Sequence, residues 1–164
     1  MGKDIKTFLF LIIISFLSIV GISTFNDGKN KVLGEVGAVS VDPASYDLGN
    51  VPINGGLVKK EYKVINKSGK SIKLKKIATS CMCTNASISI NGKESKLFGM
   101  EHATDKNPPI NIDIPADEVA TVKVEFDPAA HGSEGMGYFE RIVWLFFSDP
   151  EGIKELKFEG TVVN

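Results

Sequence analysis

The stretch that decides the fold is A-T-V-K-V-E-F-D-P, from Ala120 to Pro128. Apolar residues alternate in it with Thr, Lys and Glu as far as Phe126. Successive side chains of an extended strand point to opposite faces, so this alternation predicts a strand with one buried face. The Asp-Pro pair that follows is typical of a turn, and it predicts where the strand ends.

The same two-residue alternation recurs on both sides of this stretch. Apolar residues take every second position in segments that begin near Val58, Ile72, Ile110 and Ile153. Asn91-Gly92 is a strong hairpin signal, because both residue types tolerate the positive φ that a two-residue turn requires. The sequence therefore predicts several short strands with turns between them.

One segment is apolar on both faces. It reads R-I-V-W-L-F-F from Arg141 to Phe147, which is typical of a strand in the centre of a sheet. Trp144 in its middle is predicted to be a core residue rather than a ligand platform. About seven short strands, with no amphipathic helix after residue 26, predict an all-β protein with an immunoglobulin-like β-sandwich.

A different kind of segment precedes this domain. The 20 residues from Thr7 to Asn26 carry no charge, and as a helix they would span about 30 Å, the thickness of a bilayer core. An uncleaved transmembrane anchor is favoured over a cleaved signal peptide, since Gly21-Ile22-Ser23 is only a weak cleavage site. We therefore expect an anchor or signal peptide over residues 1–25, a linker over 26–38 and the sandwich over 39–164.

The leader sets the expected location, and charge and composition argue against two classes of protein. The leader resembles an export signal, so we expect a cytoplasmic N-terminus and an extracytoplasmic domain, which would be secreted if the leader is cleaved. The chain has 164 residues with 19 Lys and Arg against 20 Asp and Glu, a net charge of -1. This balance argues against nucleic-acid binding. Two cysteines are too few for a disulfide-dense scaffold.

The chemistry is concentrated in T-S-C-M-C-T, from Thr79 to Thr84. In an extended strand, Cys81 and Cys83 would project two sulfurs from one face. A disulfide between them would be unfavourable there, because an extended i, i+2 pair reaches the upper limit of the permitted Cα separation. Two thiolates on one face are instead half of a site for a soft or borderline metal.

The other candidate ligands lie in two loop-like stretches, as the pairs Met100 and His102, and His131 and Met136. The two cysteines and two histidines make a Cys2His2 set suited to zinc, and a methionine thioether shifts the preference to Cu(I), so copper is favoured over zinc. Two alternatives stay open. The cysteines are inert small apolar residues, or they form a redox site with a reactive thiolate.

No catalytic motif or acid–base pair accompanies these residues, so the sequence predicts a protein that is not an enzyme. Metal sequestration or delivery is the leading hypothesis. The rival is a scaffolding or interaction module of the cell envelope, with a protein partner and incidental cysteines. It would use the run from Lys59 to Lys76, where eight Lys accompany one Glu, although such a run is more often a solvated sheet face. The sequence leaves the oligomeric state open.

Five motifs carry a family resemblance: S-V-D-P-A-S-Y-D-L-G-N-V, V-I-N-K-S-G-K-S-I-K-L, T-S-C-M-C-T, I-P-A-D-E-V-A-T-V-K-V-E-F-D-P and L-K-F-E-G-T-V-V. Over residues 39–163 the chain resembles a bacterial family of exported Ig-like domains, akin to the domains of Hydin and ASPM. Met82 stands where the family more often has Gly, and residues 89–113 resemble an insertion found in a subset of relatives. The resemblance implies the fold and no particular biochemistry.

Overall fold

The computed structural model describes residues 33–102 and 106–164. The predicted anchor or signal peptide, residues 1–25, lies outside this part of the chain. Within the two described ranges, no helix has the length and apolar character needed to cross a membrane. The only helical element in them is a single 3-10 turn, Gly132–Gly135.

Ten strands form the part of the domain that the structure describes, and seven of them correspond to the predicted alternating segments. They are β1 (Val39–Asp42), β2 (Ser45–Pro52), β3 (Val58–Asn66), β4 (Ile72–Thr79), β5 (Thr84–Ile90), β6 (Lys93–Glu94), β7 (Ile112–Ile114), β8 (Val119–Phe126), β9 (Gly137–Asp149) and β10 (Glu151–Val163). The count exceeds the expected seven because it also includes the two-residue β6 and the strands β1 and β2, which the alternation did not predict.

Two five-stranded sheets make up the sandwich. The first has the order β1-β3-β8-β5-β6 and the second the order β2-β10-β9-β4-β7. All pairs are antiparallel except β2 with β10. The order places β1, β3, β8 and β5 in one sheet and β4, β9 and β10 in the other, which is the division of strands in an immunoglobulin domain. The predicted all-β, Ig-like sandwich is confirmed.

The core lies between the two sheets and follows the alternation of each strand. In β8, the apolar positions Ala120, Val122, Val124 and Phe126 are all buried. Across the sandwich, alternate residues of β9 face them, and Phe126 stacks on Phe139 with ring centroids 4.5 Å apart. The Asn91-Gly92 hairpin is also as predicted, with positive φ at both residues between β5 and β6.

Strand β9 is central in its sheet, as predicted, but the expectation for Trp144 is wrong. The inward positions Val143 and Leu145 are fully buried. Trp144 lies between them in the sequence and therefore faces outward, where it is only half-buried. Its indole Nε1 donates to Glu155 Oε1 on β10 at 3.2 Å. An apolar outer face does not by itself make a residue part of the core.

The described chain begins against the start of β10. The amide of Ile153 donates to the Gly34 carbonyl at 3.0 Å, and the amide of Val36 donates to the Ile153 carbonyl at 3.1 Å. The approach is close: a Cβ at Gly152 would lie 2.6 Å from the Gly34 carbonyl oxygen. Glycine at position 152 is therefore what allows residues 34–36 to run beside β10.

Asn66 joins two turns at one end of the sandwich. It is fully buried, and its Nδ2 lies 2.7–2.9 Å from the carbonyl oxygens of Lys70, Ile114 and Pro115. Its Oδ1 accepts from the amide and hydroxyl of Ser68. One side chain thus satisfies both the turn after β3 and the turn between β7 and β8, where unpaired buried carbonyls would be costly.

Replacing this amide by a carboxylate should destabilise the fold. In Asn66→Asp, the donor to three carbonyl oxygens is lost and a second acceptor faces them. We expect the free energy of unfolding to fall by about 2–4 kcal/mol, measured by urea unfolding. The control is Asn54→Asp at an exposed turn position, where we expect a change within about 0.5 kcal/mol. Equal effects of the two substitutions would contradict this role.

Candidate functional site

The cysteines lie in a turn and not in the extended strand that the sequence predicted. Strand β4 ends at Thr79 and β5 begins at Thr84. The amide of Thr84 donates to the Cys81 carbonyl at 3.1 Å, which closes the turn between the two strands. Met82 stands at its tip with 62% of its surface exposed.

This turn also overturns the expectation that a disulfide is unfavourable. The turn brings the Cα atoms of Cys81 and Cys83 to 5.2 Å, and the two sulfurs form a disulfide. That Cα separation lies well inside the range that disulfides need. An extended backbone would have held the same residues farther apart.

Residues at the end of β4 hold the turn in place. Thr79 is buried, and its hydroxyl lies 3.0 Å from the Cys81 carbonyl oxygen and 2.9 Å from that of Thr84. Ser80 continues the pairing with β9, because its amide donates to the Ile142 carbonyl and its hydroxyl accepts from the Ile142 amide, both at 2.9 Å. The turn is therefore fixed to the second sheet.

The loop between β8 and β9 brings His131 to the same place. Its first residue, Asp127, donates its amide to the Cys83 carbonyl at 2.9 Å. The 3-10 turn that follows packs against the histidine, and a Cβ at Gly135 would lie 3.0 Å from the Cβ of His131. His131 Nε2 lies 3.1 Å from Cys81 Sγ, within hydrogen-bond distance.

Arg141 approaches the other sulfur from β9. Its Nε donates to Cys83 Sγ at 3.2 Å, and its Nη1 donates to the Glu140 carbonyl at 2.8 Å. Burial lowers the pKa of the Arg141 guanidinium, but a guanidinium stays protonated in proteins. A permanent positive charge therefore faces Cys83, and Arg141 is the only arginine in the sequence.

The structure brings together three of the six predicted ligands. One ligand atom each from Cys81, Cys83 and His131 lies within 4.8 Å of the others. His102 is exposed and is not a member of this group. Met100 is 40% exposed and follows Gly99, whose carbonyl accepts from the Thr79 amide. Met136 is 41% exposed and comes directly after the 3-10 turn. Their part in a site stays a prediction.

Sequence reasoning missed Arg141, although the strand pattern contains a signal for it. Strand β9 has the inward-facing residues Phe139, Val143 and Leu145. Arg141 lies at an alternate position of the same strand and therefore on the same face. A lone arginine on the core-facing side of an apolar strand needs a partner there, because charged residues are rarely buried unless paired. Its partners are the sulfur of Cys83 and the ring of Phe139, whose centroid lies 5.6 Å from the guanidinium carbon.

The Lys-rich run does not form a uniformly basic surface. Four of its eight lysines are paired with acidic residues from other segments: Lys59 with Glu125, Lys70 with Asp149, Lys73 with Asp113 and Lys76 with Glu101. The pairs in which both side chains are largely exposed, such as Lys70 with Asp149, add little stability. All four pairs do neutralise positive charge of the lysines, which is typical of an ordinary solvated sheet face.

Comparisons with known proteins bear on the fold alone. No family model and no curated protein matches the chain. Among solved structures, a protein of unknown function from Porphyromonas gingivalis W83 superposes with a TM-score of 0.54 at 13% identity, over 82% of this chain and 51% of that one. A family 123 glycoside hydrolase from Clostridium perfringens superposes with a TM-score of 0.51 at 8% identity, over 77% of this chain and 27% of that one.

The chain thus spans about half the length of the Porphyromonas protein that it matches. At these identities the likeness extends to the β-sandwich and to nothing finer. The strand order makes the described part of the chain an Ig-like β-sandwich, and the two superpositions show that solved structures share its fold. Since no family model matches, the similarity to a bacterial family of exported Ig-like domains stays a resemblance.

The disulfide should matter little to the stability of the domain. It closes a loop of only three residues, for which the loss of chain entropy is about 1.5–2 kcal/mol, against almost 5 kcal/mol for a loop of about 100 residues. Reduction should therefore lower the free energy of unfolding by no more than about 2 kcal/mol, measured by urea unfolding with and without reductant. A loss above about 4 kcal/mol would show that the bond is structural.

Proposed function

We propose that this chain is an Ig-like domain on the extracytoplasmic side of a membrane that binds a thiophilic metal, copper before zinc. It sequesters or delivers the metal and does not catalyse a reaction. The observation that carries the proposal is the convergence of Cys81, Cys83 and His131, with one ligand atom each within 4.8 Å of the others. Thiolate and imidazole are the ligands that Cu(I) and zinc prefer.

The metal would be bound by the reduced form. Two metal–sulfur bonds of about 2.3 Å hold their sulfurs about 3.8–4.6 Å apart, so the disulfide must open before Cys81 and Cys83 can share an ion. Rotation of the two side chains about their Cα–Cβ bonds would supply this separation, with the Cα atoms remaining 5.2 Å apart. His131 already lies beside Cys81 and needs little movement to complete three-coordination.

The charge around the site supports copper before zinc. Two thiolates bring two negative charges, and the Arg141 guanidinium on Cys83 contributes one positive charge. A monovalent ion brings the sum to zero, whereas a divalent ion leaves an excess positive charge in a partly buried site, which is unfavourable. The thioethers of Met100 and Met136, as soft ligands, would strengthen the same preference.

The proposed location rests on the leader. The uncharged residues Thr7 to Asn26 are long enough to cross a bilayer core. As an anchor they would tether the domain to the outer face of the membrane, and as a signal peptide they would release it. A protein partner in the cell envelope is the alternative role, and it would act through the sheet surfaces and not through the cysteines.

Removing the thiolates should abolish copper binding. We expect the reduced protein to take one Cu(I) per chain from a chromogenic chelator such as bicinchoninate. Cys81→Ser combined with Cys83→Ser should weaken the affinity at least about a hundredfold, because both soft ligands are lost. His131→Ala should weaken it at least about tenfold, as even residues that only support a ligand have effects of this size.

The chain supplies a matched control in its other histidine. His102→Ala removes the same type of side chain from an exposed position outside the cluster, so we expect the Cu(I) affinity to stay within about twofold. If the double serine variant binds Cu(I) as tightly as the wild-type protein, metal binding at this site is wrong. If His102→Ala and His131→Ala weaken binding equally, the ligand set is wrong.

The leader can be tested on the intact protein. We expect the chain to remain in the membrane fraction after an alkaline carbonate wash and to retain Met1 by intact mass. The domain should be digested by protease added outside the cytoplasmic membrane. A mature N-terminus just after Ser23 would show a cleaved signal peptide instead, and protection from external protease would contradict the proposed orientation.

A further inference from the structure

We propose that the Cys81–Cys83 disulfide exchanges with an external thiol, with Cys81 as the attacked sulfur and Cys83 as the leaving thiolate. This activity goes beyond metal binding, because it belongs to the disulfide form of the turn. It rests on an asymmetry between the two sulfurs, which differ in exposure and in the side chain that each one contacts.

The first difference is access. Cys83 is 2% exposed, and its neighbour Thr84 begins a strand in the first sheet. Cys81 is the less buried residue of the pair: it packs at the edge of the core next to the exposed Met82, and the side chain that touches its sulfur, His131, is itself exposed. Since a thiolate must approach the sulfur that it attacks, an external thiol can reach Cys81 more readily than Cys83.

The second difference is the charge that each sulfur meets. Cys83 Sγ accepts a hydrogen bond from Arg141 Nε at 3.2 Å, and the hydroxyl of Thr84 lies 3.6 Å away. A cationic donor at this distance stabilises the negative charge that builds up on Cys83 Sγ as the bond between the sulfurs breaks, and it does so more strongly in a partly buried site than in water. The sulfur that is hard to reach is therefore the better leaving group.

The exchange proceeds in two steps. An external thiolate attacks Cys81 Sγ, a mixed disulfide forms, the bond between Cys81 and Cys83 breaks, and its electron pair stays on Cys83 beside Arg141. A second external thiolate then attacks the sulfur of the first, which releases Cys81 as a thiolate next to His131. Two thiols are oxidised to one disulfide, and the turn gains two electrons and two protons as a dithiol.

Arginine has a geometric reason to occupy this position. The chain uses lysine at all of its other basic positions, yet Arg141 donates to Cys83 through Nε while Nη1 binds the Glu140 carbonyl. A guanidinium can make both hydrogen bonds in one plane, whereas a lysine ammonium is a point charge on a flexible stem. The side chain is thereby fixed on the sulfur.

The first test uses the wild-type full-length protein and reduced glutathione as the thiol. The reaction is quenched with acid at early times, and the mixed disulfide is located by mass spectrometry of peptides. We expect glutathione on Cys81 in at least about tenfold excess over Cys83. Equal labelling, or an adduct mainly on Cys83, would overturn the proposal.

The second test follows the rate of the same reaction in Arg141 variants. Arg141→Gln removes the charge and should slow mixed-disulfide formation about tenfold, while Arg141→Lys keeps the charge and should have a smaller effect. The thermal midpoint of each variant is recorded, because a purely structural role would change stability without changing the rate. Unchanged rates in Arg141→Gln would overturn the role of the arginine.

The two proposals at this turn can fail separately. Copper binding is measured on the reduced protein and exchange on the oxidised one. If Cu(I) does not bind but glutathione appears on Cys81, the exchange proposal is supported and the metal-binding proposal is wrong. If Arg141→Gln does not fold, the position of glutathione in the wild-type protein and the rate in Arg141→Lys still decide the question.

Discussion

The two-residue repeat of an extended strand is the constraint on which this molecule depends. It fixes which side chains enter the space between the sheets, and in β9 it places Arg141 on the same side as Val143 and Leu145. A charged side chain on the core-facing side of a strand cannot move to the outer face without a shift of register that breaks the strand pairing. Its position at the end of the apolar stretch lets it reach the polarisable sulfur of Cys83.

The site therefore consists of contributions from both sheets. Cys83 leads into β5 of the first sheet, Ser80 pairs with β9 of the second, and His131 comes from the loop that connects the sheets. The turn with the cysteines and the loop with His131 are distant along the chain, since Cys81 and His131 are separated by 50 positions. The strand order of the Ig-like fold gathers them at one end of the sandwich, where loops are free to carry function.

The sequence was sufficient for the fold and only in part for the site. Strands such as β3 and β8 could be predicted because each buries one face, and burial of alternate residues leaves a clear pattern. The turn at Cys81 and Cys83 could not, because its conformation depends on hydrogen bonds to distant residues, including the one from Asp127 to Cys83. Trp144 was misplaced because apolar residues on both faces suggest burial, whereas its outer face is covered only in part.

The parallel pairing beside β10 has a mechanical consequence. Residues 34–36 and strand β2 both run parallel to β10, the strand that ends the chain. When parallel neighbours are pulled from opposite ends, their hydrogen bonds bear the load together, in shear, and do not open one after another. A force applied between the N-terminal side of this domain and its C-terminus would therefore meet a collective resistance, which governs how fast the sandwich yields under tension.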